Sequence, residues 1–265
     1  MTAHPVLEIE GLALEARSHR GNTRPVTDVS LSVRASESLA LVGESGSGKS
    51  LTLRAILDLL PQGIAVCCGE IRFGDGTSPA IPTPAAALRG RGLAFIPQEP
   101  MTAMNPTMRL ADLVGAGPRA TRGLSKRNAR RLAIDLLGEV GIPDPARRAD
   151  AWPHELSGGM QQRAMIAMAL ATEPRILLCD EPTTALDVTV QDQIVRLLHR
   201  IRTERGLAMV FVTHDLGLAA RLCERVAVMY GGRVVETGPT SDVYATPAHR
   251  YTAALLEAVP DAERS

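Results

Sequence analysis

The sequence predicts an α/β fold: a mainly parallel sheet with helices between its strands, an antiparallel β layer ahead of it and a helical insert within it. Two observations carry this. Short, wholly apolar runs recur at Leu39-Ala40-Leu41-Val42, Leu93-Ala94-Phe95-Ile96, Ile176-Leu177-Leu178-Cys179 and from Leu207 to Val212, the length and composition of strands buried on both faces. Residues 6–15 and 29–33, in contrast, alternate apolar and polar side chains as half-buried strands do. With 265 residues, 45% of them hydrophobic, the chain can fill a sizeable core.

Taken in order, residues 6–15 and 29–33 form the antiparallel layer, and the polar, turn-rich stretch from Ser18 to Pro25 between them reads as an exposed loop. The first buried strand, 39–42, then runs into Gly43-Glu44-Ser45-Gly46-Ser47-Gly48-Lys49-Ser50, which matches the phosphate-binding pattern G-x-x-x-x-G-K-[ST] at every fixed position. Helical periodicity from Leu51 to Leu57 follows it. Three glycines let the backbone wrap closely around phosphates, with N–H groups and a helix N-terminus facing the anion. Lys49 supplies a cation and Ser50 a hydroxyl for Mg²⁺, so the chain is expected to bind ATP; a glycine-rich turn that binds nothing does not account for a Lys-Ser pair between strand and helix.

Residues 68–76 can add a strand, and the Pro- and Ala-rich residues 77–87 read as a surface excursion. The strand at 93–96 is ended by Pro97-Gln98-Glu99-Pro100, and from Met101 to Ala171 the pattern is mainly helical, with Ser125 as an N-cap. Leu156-Ser157-Gly158-Gly159-Met160 opens the last helix of that insert. Its small residues at a helix start are either a second anion site or an ordinary serine cap.

The run 176–179 ends in Asp180-Glu181, two carboxylates at the carboxyl end of a parallel strand. Asp180 can hold Mg²⁺ and Glu181 can accept a proton from an attacking water; the bland alternative is a pair of acids capping the next helix. An amphipathic helix over 190–201 closes at Gly206, and the strand from Leu207 is followed by Thr213-His214-Asp215, where His214 is either a ligand-facing group or a helix cap. Strands at 226–229 and 234–236 finish the sheet, and the tail from Ser241 is helical.

Composition narrows the class. Twenty-nine basic residues balance twenty-nine acidic ones, which recommends no nucleic-acid partner. Cys67, Cys68, Cys179 and Cys223 form no C-x-x-C, so neither a zinc site nor a disulfide framework is expected. The N-terminus lacks the basic-then-apolar build of a secretion signal, and no run approaches the roughly 18 apolar residues that span a bilayer.

Residues 43–50, Gln98, 156–160, 176–181, Ala185-Leu186-Asp187 and His214 occur in the order of an ABC-type ATPase cassette, which the chain resembles over nearly its whole length. The wording of residues 98–108, Met160 in the signature, and Pro247-Ala248-His249-Arg250-Tyr251-Thr252 make it similar to the ATPase subunits of oligopeptide, dipeptide or nickel importers. The resemblance implies a P-loop NTPase (RecA-like) core with a β layer at 1–98 and 172–240, a helical subdomain at 99–171 and a C-terminal tail at 241–265, all one cassette.

It also implies a head-to-tail dimer of cassettes in which Ser157, Gly158 and Gly159 of one complete the phosphate site of the other and Asp187 bridges them. Within one cassette Lys49 and the loop amides from Gly43 to Leu51 would hold ATP, Ser50 and Asp180 would organise Mg²⁺, and Gln98 would sense the γ-phosphate and sit at the metal. Glu181 would be the base and His214 would contact the γ-phosphate. The helical insert would receive the coupling helices of two membrane permease subunits, with an extracytoplasmic binding protein supplying cargo and the chain lying peripherally on the cytoplasmic face of the inner membrane. Longer family members carry C-terminal cysteines that this sequence lacks, so no iron–sulfur site is expected. No aromatic residue occurs before Phe73 to stack on adenine; Arg20, or His19 beside it, is the nearest substitute, which predicts weak discrimination between ATP and GTP. A soluble ABC ATPase acting on nucleic acid or ribosomes and an exporter cassette are the competing readings. The former usually carries heptad arms, zinc insertions or a second cassette, and the latter fused membrane spans.

Overall fold

The computed structural model describes residues 4–18, 21–184 and 186–258. The chain divides into two compact units, Met1–Ala87 with Gly206–Ser265 and Leu88–Arg205.

In the first unit β1 (Pro5–Ser18) and β2 (Gly21–Arg34) make a long antiparallel hairpin. Leu7, Ile9, Leu12, Leu14, Val26, Val29 and Val33 are among its fully buried positions. The hairpin runs further than the alternation predicts. The loop expected from Ser18 to Pro25 is mostly strand, with Asn22 and Thr23 paired to Arg17 and Ala16. Those residues are exposed, as expected, because the hairpin end lies beyond the core and is ordered by backbone pairing alone. After β3 (Ser38–Val42) and α1 (Lys49–Ile56), β4 (Ile64–Phe73) pairs with β1 and the two-residue β5 (Ile81–Pro82) with β4, giving the sheet order β2-β1-β4-β5. β4 begins at Ile64 rather than near Cys68, since its first half is exposed and carries no burial pattern to betray it. A short α2 (Ala85–Leu88) closes the Pro- and Ala-rich excursion.

The second unit opens with β6 (Leu93–Ile96), followed by α3 (Pro100–Ala103), α4 (Leu110–Arg122), α5 (Lys126–Glu139), α6 (Pro145–Arg148) and α7 (Gly158–Leu170), then β7 (Ile176–Asp180) and α8 (Val188–Arg205). Ser125 caps α5 by accepting from the Asn128 amide at 3.3 Å, which is the expected role for serine at a helix start. α7 buries Ala164, Met165, Ile166, Ala167 and Leu170, almost its whole circumference, so it is the core helix of this unit. β6 pairs with β7 in parallel.

The first unit then resumes with β8 (Ala208–Thr213), α9 (Leu216–Leu222), β9 (Arg225–Tyr230), β10 (Arg233–Pro239), α10 (Thr240–Ala245) and α11 (Arg250–Glu257). β3 lies between β8 and β9, parallel to both, and β10 runs antiparallel to β9. Every residue of β3 and β8 is buried, which is why their sequences are apolar throughout rather than alternating.

Candidate functional site

The first unit builds a phosphate loop at the carboxyl end of β3. Gly43 has φ 148, and a Cβ there would come within 2.2 Å of the Met229 carbonyl oxygen; Gly48, the residue ahead of α1, has φ 104, and its Cβ would come within 2.9 Å of the Pro25 carbonyl. Only glycine fits either place. The buried Lys49 donates to the carbonyls of Gly43 at 2.6 Å and Glu44 at 2.8 Å. Ser50 and Leu51 are half-buried in the first turn of α1, while Glu44, Ser45 and Gly46 are exposed. The Ser47 hydroxyl is buried and makes no hydrogen bond. An orphaned donor of this kind costs about 1–3 kcal/mol, a penalty that an anion in the loop relieves. An exposed loop at residues 44–46, a buried cation and an orphaned hydroxyl thus suit a phosphate chain. His214 belongs to the same constellation: Val42 pairs with Thr213, so Gly43 and His214 each leave the carboxyl end of adjacent parallel strands. His214 is exposed, and the capping role falls instead to Asp215, which accepts from the Leu218 amide at 3.0 Å.

The second unit repeats the arrangement with acids. Ile96 pairs with Cys179, so the exposed Gln98 and the pair Asp180-Glu181 also leave adjacent parallel strands on one edge. Asp180, the last residue of β7, is 4% exposed. Glu181 has a left-handed backbone, φ 45, which costs a residue other than glycine or asparagine about 1–2 kcal/mol. Its carboxylate accepts from the Thr184 hydroxyl at 2.9 Å. Strain held at an acidic strand end points to function.

At the start of α7, Ser157 accepts from the Met160 amide at 3.4 Å, the ordinary cap that its sequence allowed. The glycines after it differ. A Cβ on Gly159 would meet Val190 at 2.7 Å, whereas one on Gly158 would find, among the described residues, only Leu186, at 3.7 Å. Ser157 and Gly158 are exposed. Arg163, one and a half turns further on, donates to the Val140 carbonyl at 2.6 Å and to the Gln193 side chain at 2.9 Å, fixing the helix; burial, then the charge of Arg200, pulls its pKa down. Asp187 caps α8 through the Val190 amide at 2.9 Å.

His19, Arg20 and Ala185 lie outside the described residues. Among the described residues no group of three or more His, Cys, Asp or Glu side chains could hold a metal, and no helix is long and apolar enough to cross a membrane. One set of contacts was not legible in the sequence. The Tyr251 hydroxyl on α11 accepts from the Glu44 amide of the phosphate loop at 3.0 Å, and Glu236 on β10 accepts from the amides of Ala248 at 2.7 Å and His249 at 3.0 Å. Burial works against the Glu236 charge, but the Thr252 hydroxyl, those two amides and His249 outweigh it and hold the carboxyl below its ordinary pKa. The wording of residues 247–252 singles out the segment but gives no sign of where it packs.

Residues 26–184 match the family model described as ABC transporter, and residues 235–265 match the one described as oligopeptide/dipeptide transporter, C-terminal region. A protein named for peptide import ATP-binding in Brucella abortus (strain 2308) is 45% identical over 98% of this chain and 79% of its own length. Another so named in Brucella suis biovar 1 is 43% identical over 97% of this chain and 78% of its own. Among solved structures, the ATP-binding cassette MJ0796, dimeric in a post-hydrolysis state with ADP and Pi, superposes with a TM-score of 0.77 at 28% identity, covering 88% of this chain and 98% of that one. CbiO1 from Clostridium perfringens, part of the ABC transporter complex cbiONQ, gives 0.76 at 26% identity over 91% of each chain.

Proposed function

This chain belongs to the ABC transporter family, and from that premise we propose that it is the ATP-hydrolysing subunit of a peptide importer. The observation that carries the ATPase reading is the phosphate loop, where Lys49, the exposed residues 44–46 and the orphaned Ser47 hydroxyl suit a nucleoside triphosphate. Peptide as cargo is supported by the names of relatives at 43–45% identity and by the match over residues 235–265.

In this reading the chain is one cassette, with residues 99–171 as its helical subdomain. Lys49 turns from the carbonyls of Gly43 and Glu44 to the β- and γ-phosphates, and the loop from Gly43 to Leu51 lines the chain of phosphates with its amides, apart from the Glu44 amide that Tyr251 holds. Ser50, Gln98 and Asp180 each carry a hard oxygen of the kind that suits Mg²⁺, and the ion would supply neutralisation of charge developing on the phosphoryl oxygens. Glu181 takes the proton of the attacking water, Gln98 orients that water and His214 donates to the γ-phosphate. Ser157, Gly158 and Gly159 act on ATP bound to a second cassette facing head to tail, with Asp187 at the junction; the exposure of Ser157 and Gly158 supports a contact made from outside the chain. The helical insert passes closure of that dimer to two permease subunits at the cytoplasmic face of the membrane, and an extracytoplasmic binding protein delivers the cargo.

Purification of the tagged chain from detergent-solubilised membranes tests this. Permease subunits and a second cassette should co-purify with ATPase activity, and recovery of nucleic acid or ribosomes in their place overturns it.

A further inference from the structure

The outer side of the phosphate loop is walled by the C-terminal part of the first unit. The Ser47 carbonyl accepts from the Gly232 amide at 3.1 Å, and Gly43 lies flat against the Met229 carbonyl. Glu44 is held at both of its backbone groups: its carbonyl accepts from Lys49 at 2.8 Å and from the Ser47 amide at 3.2 Å, and its amide donates to the Tyr251 hydroxyl at 3.0 Å. Tyr251 stands in the first turn of α11, and its ring lies against Tyr230 at the end of β9, with centroids 4.4 Å apart and planes tilted by 38°. The approach of α11 is fixed in turn. Glu236 receives the amides of Ala248 and His249, and His249 caps the helix by accepting from the Tyr251 amide at 3.2 Å.

The Ser47 bond lies within the loop itself, and the other two holds on Glu44, from Lys49 and Tyr251, differ in what nucleotide does to them. An ammonium that turns toward phosphate gives up carbonyl bonds, since its three donors serve whichever acceptors carry most charge. The Tyr251 contact approaches from α11, outside the loop, and persists. We propose that Tyr251 is a positioning residue for the phosphate loop, keeping the Glu44 peptide in place when Lys49 engages phosphate, and that α11 is thereby coupled to nucleotide occupancy. This rests on the nucleotide-binding reading above. Coupling is reciprocal, so ATP in the loop must also steady α11.

The test compares Tyr251→Phe, which keeps the ring and loses only the hydroxyl, with Tyr244→Phe. Tyr244 donates to the Leu216 carbonyl in the same unit, so its variant loses a hydrogen bond that touches no part of the loop. In the full-length chain, Tyr251→Phe should weaken binding of a fluorescent ATP analogue about 2- to 10-fold, the range one neutral hydrogen bond commands, and raise KM for ATP by a similar factor while kcat at saturation holds. Tyr244→Phe should lower thermal stability and leave affinity alone. ATP should slow amide exchange across residues 250–257 in the wild type, and that slowing should disappear in Tyr251→Phe. Wild-type affinity in Tyr251→Phe, or an equal loss in both variants, overturns the proposal by itself. Failure of the wild type to bind ATP overturns it together with the reading beneath it.

Discussion

The phosphate loop and the signature turn both set glycines ahead of a helix, yet one is walled in by its own unit and the other is open. At Gly43 a Cβ would lie 2.2 Å from a backbone carbonyl, and at Gly158 it would have 3.7 Å of clearance from a leucine methyl. A glycine that its own fold requires is thus told apart, by the space beside it, from one that its own fold does not require. Gly159 belongs with the first kind, because Val190 stands 2.7 Å from its Cβ position. Within one signature turn, then, packing inside the unit demands glycine at the second position, whatever else that residue does, and not at the first.

Four experiments sharpen or break this contrast. The largest effect is expected for Gly158→Asp, which should abolish ATP turnover in the assembled transporter by setting a carboxylate where the γ-phosphate of the facing cassette arrives. The isolated chain should still fold and bind ATP, since an acid in the first turn of α7 suits the helix dipole and meets no clash. Loss of folding or of monomer ATP binding in that variant erases the contrast.

Next in size is Glu181→Gln, which should keep ATP binding and slow hydrolysis by about 10²–10⁴, the range for a lost general base. Steady-state turnover measures it, and an unchanged rate removes Glu181 from the chemistry.

Smaller, and a matter of stability rather than rate, is the pair Gly43→Ala and Gly158→Ala. Overpacking against the Met229 backbone should cost about 1–3 kcal/mol at the first, and the second should stay within roughly 0.5 kcal/mol of wild type. Denaturant melts decide it; equal losses would mean that the clearance at Gly158 has been misread.

The smallest effect concerns the brace on the phosphate loop. The Glu236 pKa lies below its ordinary 4.5 in the folded chain, so its contribution to stability is complete above about that pH and is lost as pH falls through the lower folded value. Protease sensitivity of residues 247–257 should rise on acidification in that window and lose its pH dependence in Glu236→Gln. No such window in the wild type would leave the C-terminal segment held by other contacts.

Much of this was legible in the sequence because it is local. A strand buried on both faces must be apolar at every residue, so β3, β6, β7 and β8 announce themselves, and the residues just past their carboxyl ends, Gly43, Gln98, Asp180-Glu181 and His214, follow by position alone. Helix starts at Ser125 and Ser157 are likewise local, a side chain bonding an amide three residues on. What the tertiary structure decided is what brings distant residues together or leaves polar strand unburied. Ser18, Gly21, Asn22 and Thr23 pair although their stretch reads as loop by its polarity, because hairpin bonding at an exposed end asks nothing of the side chains. The difference between Gly158 and Gly159 depends on Val190, and the hold on Glu44 depends on Tyr251, 207 positions later. Contacts of that span are set by how the whole unit closes on itself, and no periodicity in the chain records them.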